Sequence, residues 1–190
     1  MPIFTKMKGS LMIGFMRFFK SLKNEKLDAY LNDEDRQLLK ERLLLSSWYP
    51  GGTARHIIKA LFEVAGQGNP ENSRSWGKFS AHEIIPTTYK NFLKPGDPFE
   101  SLKSFRRIFL TFVDMEGLKV AEEKPGSGKI YILDPGDDPI IVPFAYMMAG
   151  FIEGLLELAG AKEINCAVKR EPFAGKNAYL IQTTYQAKKQ

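Results

Sequence analysis

A chain of 190 residues with 44% hydrophobic and 26% charged residues has the length and make-up of one globular domain, which excludes wholesale disorder and removes any need for a disulfide or metal staple. Its one cysteine, Cys166, excludes an internal disulfide framework and a Cys-built zinc site, and its two histidines, His56 and His82, leave few ways to assemble a catalytic centre. The net charge of +5, from 27 basic and 22 acidic residues, is mild, and the surplus sits at the chain ends (Lys6, Lys8, Arg17, Lys20, Lys23 and Lys26, then Lys188 and Lys189) rather than in one stripe, so nucleic acid is not an expected partner.

In chain order, residues 1–23 are apolar but lack a small-residue cleavage site, and Arg17 and Lys20 interrupt the run, so this is not a signal peptide. Ser10 is placed as the N-cap of an amphipathic helix whose stripe is Leu11, Met12, Phe15, Phe18, Phe19 and Leu22. Packing on the rest of the domain is the favoured use of that stripe; a lipid interface is the alternative. A short helix is predicted over 25–31. Asn32 caps another, to about Arg42, with Asp33, Glu34 and Asp35 in its first turn. Leu43, Leu44 and Leu45 lead into an aromatic turn at 46–52 that contains Trp48 and Tyr49. Thr53 opens a helix through Val64 that Gly66 and Gly68 stop. Asn69 and Pro70 start the next, expected to run past Trp76, Phe79 and His82 to about Leu93 with a kink at Pro86. After a break at 94–98, Leu102, Phe105, Ile108, Phe109 and Phe112 recur at helical spacing over 99–113.

Beyond Gly117 the period changes. Strands are predicted over 118–123 and 129–133 around a hairpin turn at 124–128. The Pro125-Gly126-Ser127-Gly128-Lys129 run joins two strands instead of opening a helix, so it is not a phosphate loop. Asp137 and Asp138 read as first-turn acids of an apolar helix over 140–161. That helix is long enough to span a bilayer, but Glu153 and Glu157 lie on one of its faces, which marks it as a buried core helix. A second hairpin follows over 163–170 and 177–185. Helices first, then strand–strand–helix–strand–strand, give an α+β fold: a mainly helical part over 1–113 and a ββαββ part over 117–187 with a four-stranded antiparallel sheet, in a single domain over 1–190.

Several runs together resemble an uncharacterised bacterial family abundant as paralogues in myxobacteria: Lys8-Gly9-Ser10, Leu45-Ser46-Ser47-Trp48-Tyr49-Pro50, Gly77-Lys78-Phe79-Ser80-Ala81 with Thr87-Thr88-Tyr89, and Gly150-Phe151-Ile152-Glu153 through Leu158-Ala159-Gly160-Ala161. The C-terminal third resembles the 4-vinyl reductase small-molecule-binding domain, which belongs to the wider fold of haem nitric-oxide sensors and TRAPP transport subunits. The resemblance implies α+β architecture, a ligand pocket between helices and sheet, frequent homodimers, and sensing or scaffolding more than catalysis. Two departures limit it. Glu171, Gly175 and Ala178 stand where the 4-vinyl reductase type often carries cysteines, and the Tyr-x-Ser-x-Arg signature of haem sensors is missing, so no cofactor and no metal is expected.

The expected role is therefore a non-enzymatic ligand-binding or signalling-adaptor domain in the bacterial cytoplasm, dimeric, with a small apolar or aromatic ligand. Its candidate pocket is lined or edged by Trp48, Tyr49, Trp76, Phe79, His82, Tyr89 and Arg106, where aromatic bodies carry polar tips. The alternatives are a purely structural protein–protein interaction module and a membrane-surface adaptor. An enzyme built on His82 would need a carboxylate within about 3 Å of the imidazole. Cys166, without a basic neighbour in sequence, reads as an inert buried thiol.

Overall fold

The most apolar stretch decides the architecture. Ile141–Leu158 forms a single helix, numbered α7 in chain order, in which 13 residues are buried. It is long and apolar enough to cross a membrane, but that apolar surface is covered by the rest of the domain, as expected of a core helix. The computed structural model describes residues 2–136 and 138–187, with Arg106 described in its backbone alone. Asp137, Lys188 and Lys189 lie outside the described residues.

On one side of α7 lies a four-stranded antiparallel sheet built from strands β3 (Leu118–Lys124), β4 (Ser127–Leu133), β5 (Lys162–Arg170) and β6 (Ala178–Gln186), in the order β3-β4-β6-β5. Both predicted hairpins thus join one sheet, through β4 and β6 (Ile130 opposite Ile181). The period-2 alternation sends Ile130, Ile132, Cys166, Ile181 and Tyr185 into the main core. Tyr131, Ala178 and Leu180 pack with Phe173 in a minor cluster on the other face. The first hairpin turn is tighter than predicted: Lys124 already pairs with Ser127, so the turn is Pro125-Gly126 and Gly128 belongs to the strand. Gly126 has φ +83°, which is why a glycine follows the proline there.

On the other side of α7 lies α5 (Pro70–Ile84), the helix it touches most extensively. The contact is backbone against backbone. A Cβ on Gly77 would fall 1.9 Å from the Met147 carbonyl oxygen, and one on Gly150 would fall 1.9 Å from that of Arg74. Gly154 faces Ala81 across the same seam. Small residues four apart on both helices let the two axes approach this closely. Helix α5 stops at Ile84 instead of kinking at Pro86 and running to Leu93. Proline removes a helical N–H and disfavours helical geometry in the residue before it, and here the chain leaves through turns into a 3₁₀ segment at Lys90–Phe92.

The remaining helices roof the core. Helix α1 (Gly9–Ser21) buries Met12, Phe15, Met16 and Phe19, so its stripe packs inside the domain. Ser10 is not its N-cap: the first turn begins at Gly9, whose N–H donates to the Ser47 carbonyl, while Ser10 N–H donates to that of Leu45. Backbone from 45–47 therefore satisfies donors a capping side chain would otherwise take. Helices α2 (Glu25–Asp28) and α3 (Asp33–Lys40) follow, the latter with the predicted Asn32 cap closed into a capping box by Asp35. Residues Lys6–Lys8 (β1) and Trp48–Pro50 (β2) pair as a two-stranded ribbon where a turn was expected. Helix α4 (Gly51–Ala60) widens into a π-helical turn at Leu61–Ala65, and α6 (Pro98–Leu110) completes the roof. Asp138 ties the N-terminal segment to both halves: its buried carboxylate accepts from Ile3 N–H at 3.0 Å and Ile140 N–H at 3.1 Å and pairs with Arg55 at 3.0 Å.

Candidate functional site

Where the helical part meets the ββαββ part, α1, α5, α6 and α7 surround an apolar gap. Phe15 reaches it from α1, Phe109 from the end of α6, Phe112 from the turn that follows, Met148 and Phe151 from α7, and Met7 from β1. The gap encloses about 20 Å³, room for one water-sized body. Its walls are almost wholly apolar, with Ser80 the polar side chain at its border. Aromatic pairs hold the walls: Phe109 meets Phe144 at 5.8 Å and Phe112 meets Phe151 at 6.0 Å, both edge to face.

A polar ladder flanks the glycine seam. Arg74, Lys78 and His82, spaced four apart on α5, face Glu153 and Glu157 on α7. Glu157 takes Lys78 Nζ on one oxygen at 2.6 Å and His82 Nε2 on the other at 3.0 Å. Burial pushes the Glu157 carboxyl up, but these two partners outweigh it and hold the group below the usual carboxylate range. Glu153 lies deeper; burial raises it, with Arg74 and Lys78 offsetting part of the rise. Arg74 also donates to the Cys166 carbonyl and lies over the Tyr146 ring. The Cys166 thiol is buried against Thr183 and pushed up to about 12 by that burial, which keeps it a protonated, poorly nucleophilic group.

The sequence-predicted pocket residues are not gathered into one cavity. Trp48 is 41% exposed on the ribbon, under Lys8, and Tyr49 accepts a hydrogen bond from Leu44 N–H through its hydroxyl. Trp76 sets its edge against Phe18, and Phe79 stands 67% exposed. Tyr89 packs edge to face on Phe112 at 4.4 Å with its hydroxyl near Ser10, so it touches a wall of the gap. His82 belongs to the ladder, and the Arg106 side chain lies outside the described ones. The distance an enzyme reading requires is met at His82, but the ring is half-exposed and lines neither the gap nor the wider depression, of about 280 Å³, between α1, α2 and α3. His56 is taken up by Asp35, its Nδ1 2.7 Å from the carboxylate.

The residues that line the gap, chiefly Phe and Met, were legible only as core. Phe144, Met148 and Phe151 recur at helical spacing on α7, a signal that marks a buried face without saying that the face is imperfectly filled.

No protein-family model matches the chain, and no curated protein does. Solved structures do. An oxygen-binding H-NOX domain related to soluble guanylate cyclases, in its oxygen complex, has a TM-score of 0.61 and 14% identity over 95% of each chain. A mutant H-NOX domain from T. tengcongensis gives 0.60 and 14% over 95% of this chain and 98% of its own. A third structure, described in terms of haem redox potential and porphyrin distortion, gives 0.59 and 14% over 94% and 99%. The fold is thus the α+β H-NOX fold along almost the whole length. The haem-sensor part of the expected kinship is matched at the level of fold.

Haem does not fit the residues present. Both histidines lie away from the gap, bound to Asp35 and Glu157, and α6 carries none. Among the described residues no group of three or more His, Cys, Asp or Glu could hold a metal. A gap of about 20 Å³ walled by phenylalanines is also far below the several hundred Å³ that a cofactor-sized ligand takes up.

Proposed function

We propose that this chain is a non-enzymatic, small-molecule-binding signalling domain on an H-NOX fold, taking a small apolar ligand, without haem, in the gap between α1, α5, α6 and α7. The gap itself carries this reading. It is apolar, unfilled, and placed where a ligand would press on both halves of the domain at once. Met7, Met147 and Met148 line it, and flexible thioether side chains can yield to admit a body larger than the resting volume. Kinship with the myxobacterial paralogues and the 4-vinyl reductase domain, a cytoplasmic setting and homodimerisation belong to the same reading; exposed Phe79 beside Trp76 is apolar surface that a dimer would cover. The Lys78–Glu157–His82 cluster serves this reading as a support for the α5–α7 pair, which it ties together across the seam.

The test uses methyl-labelled methionine. Benzene and indole should shift the Met7, Met147 and Met148 methyl signals saturably, leave Met115 unmoved, and raise the unfolding temperature, because a ligand bound to the native state alone stabilises by about 2.7 kcal/mol at a hundred times its Kd. Haemin added in equal amount should give no axially ligated Soret band. Uniform or absent methyl shifts, or a stoichiometric ligated haem complex, would overturn the proposal.

A further inference from the structure

Of the large apolar side chains that stand exposed among the described residues, Leu44, Leu45 and Trp48 fall within one five-residue stretch. Both leucines are 60% exposed. Their backbone is nonetheless firmly held. Ser47 N–H donates to the Leu44 carbonyl at 3.2 Å, closing a turn, and Gly9 and Ser10 N–H donate to Ser47 and Leu45 at 2.8 and 3.0 Å. The turn sits so close to α1 that a Cβ on Gly9 would lie 2.0 Å from the Leu44 oxygen. A hydrogen-bonded turn held against α1 therefore displays two leucines to solvent.

The ribbon beside it adds charge. Lys8 pairs with Trp48 and Lys6 with Pro50, and cross-strand partners share a face, so both lysines stand on the Trp48 side while Met7 is turned into the core. Lys8 Nζ lies 5.0 Å from the Trp48 ring centroid. Lys40 and Arg42, both exposed, stand immediately before the turn. Lys6, Lys8, Lys40 and Arg42 form no ion pair among the described residues. The nearby acids are Glu41, which is exposed, and Asp114, which is occupied by the N–H groups of Thr5 and Lys6.

From these observations we infer that the Leu44–Leu45–Trp48 edge docks on an anionic lipid surface. The two leucines enter the boundary between headgroups and acyl chains, Trp48 lies at headgroup level with its ring half in and its N–H outward, and the four cations face lipid phosphates. Charge complementarity selects this occupant: unpaired cations ringing an apolar tip match a negative surface. An exposed apolar tip suits a fluid layer, which needs no matching pocket. The α1 stripe cannot serve instead, since Met12, Phe15, Met16 and Phe19 are buried. This surface is separate from the gap and stands whether or not the gap takes a ligand.

Flotation with vesicles of phosphatidylcholine, alone or with about one-third phosphatidylglycerol, tests it on the full chain, with Trp76→Phe added so that Trp48 fluorescence reports insertion. Binding and a blue shift are expected on anionic vesicles, at least about tenfold weaker on neutral ones and weakened by salt. Leu44→Ser with Leu45→Ser should lower binding about tenfold or more while leaving the unfolding temperature unchanged, and Lys8→Glu or Arg42→Glu should each lower it about fivefold. Absence of flotation and blue shift on anionic vesicles would refute the assignment. So would binding that the double leucine variant retains, or a concentration-dependent dimer, seen by light scattering, that this variant abolishes while vesicles never bind.

Discussion

Alanine placed in the seam between α5 and α7 should be among the most damaging of small substitutions in this chain. In Gly77→Ala the new methyl carbon would start 1.9 Å from the Met147 carbonyl oxygen, and in Gly150→Ala 1.9 Å from that of Arg74. Ordinary contact begins at 3.4 Å, so one helix would have to retreat by roughly 1.5 Å. The obstacle is backbone in both cases, so no rotamer change relieves it. Overpacking of this kind costs about 1–3 kcal/mol, and the better helix propensity of alanine returns at most about 1 kcal/mol. A further loss comes from the contacts that part with the helices, so about 2–3 kcal/mol net is expected for each variant. Gly14→Ala is the control: it sits inside α1 with nothing within 4 Å of the new carbon, and it should stabilise by about 0.5–1 kcal/mol. Urea titration at constant m reads both, and for a domain of this size the seam variants should melt about 4–12 °C lower. Seam variants no less stable than Gly14→Ala would show that the close crossing does not exist.

Asp35 and Cys166 supply two further expectations. Burial raises the Asp35 carboxyl, but hydrogen bonds from Thr53, Asn32 and His56 prevail and hold it below its ordinary value of 3.8. A carboxylate with a depressed folded pKa stabilises the native state above the unfolded value and stops doing so as pH falls through the folded one. Asp35→Asn should therefore cost about 1–3 kcal/mol at neutral pH, through the broken capping box and the unpaired His56, and the deficit should shrink below pH 3.8; an equal deficit in denaturant titrations at pH 7 and pH 3 would contradict that assignment. Cys166, with its thiol at about 12, should not react with Ellman's reagent in the native protein at pH 8 and should react at the rate of unfolding once urea is added. Rapid native labelling would place the thiol outside the core.

The ββαββ part was largely legible because each of its signals is local. Strict alternation in β6, two turn clusters and one long apolar run survive any packing arrangement, and the sheet they form needs only that both hairpins meet the same helix. The α5–α7 seam was not legible, because a close approach belongs to two segments about 70 residues apart, and Gly77, Gly150 and Gly154 each look like an ordinary helix weakness alone. The ladder shows the same division: the spacing of Glu153 and Glu157 marked one face of α7, but only the crossing brings Lys78 and His82 to it. The run past Pro86 went astray for another reason: apolar periodicity continued to Leu93 while the backbone could not.

The site follows from a division of aromatic side chains by polarity. The polar tips of Trp and Tyr draw them to the margins of the core. There Tyr49 finds the Leu44 N–H and Tyr89 a hydroxyl, and Trp48 keeps one edge wet under Lys8. A gap between two halves of a domain is left to side chains without such partners, the phenylalanines and methionines that fill space imperfectly. The same sorting explains why an H-NOX fold here holds no place for a porphyrin. With both histidines drawn to carboxylates away from the junction and six aromatic contacts among Phe4, Phe105, Phe109, Phe112, Phe144, Phe151 and Tyr89 walling it, the chain leaves only the small gap where its halves meet.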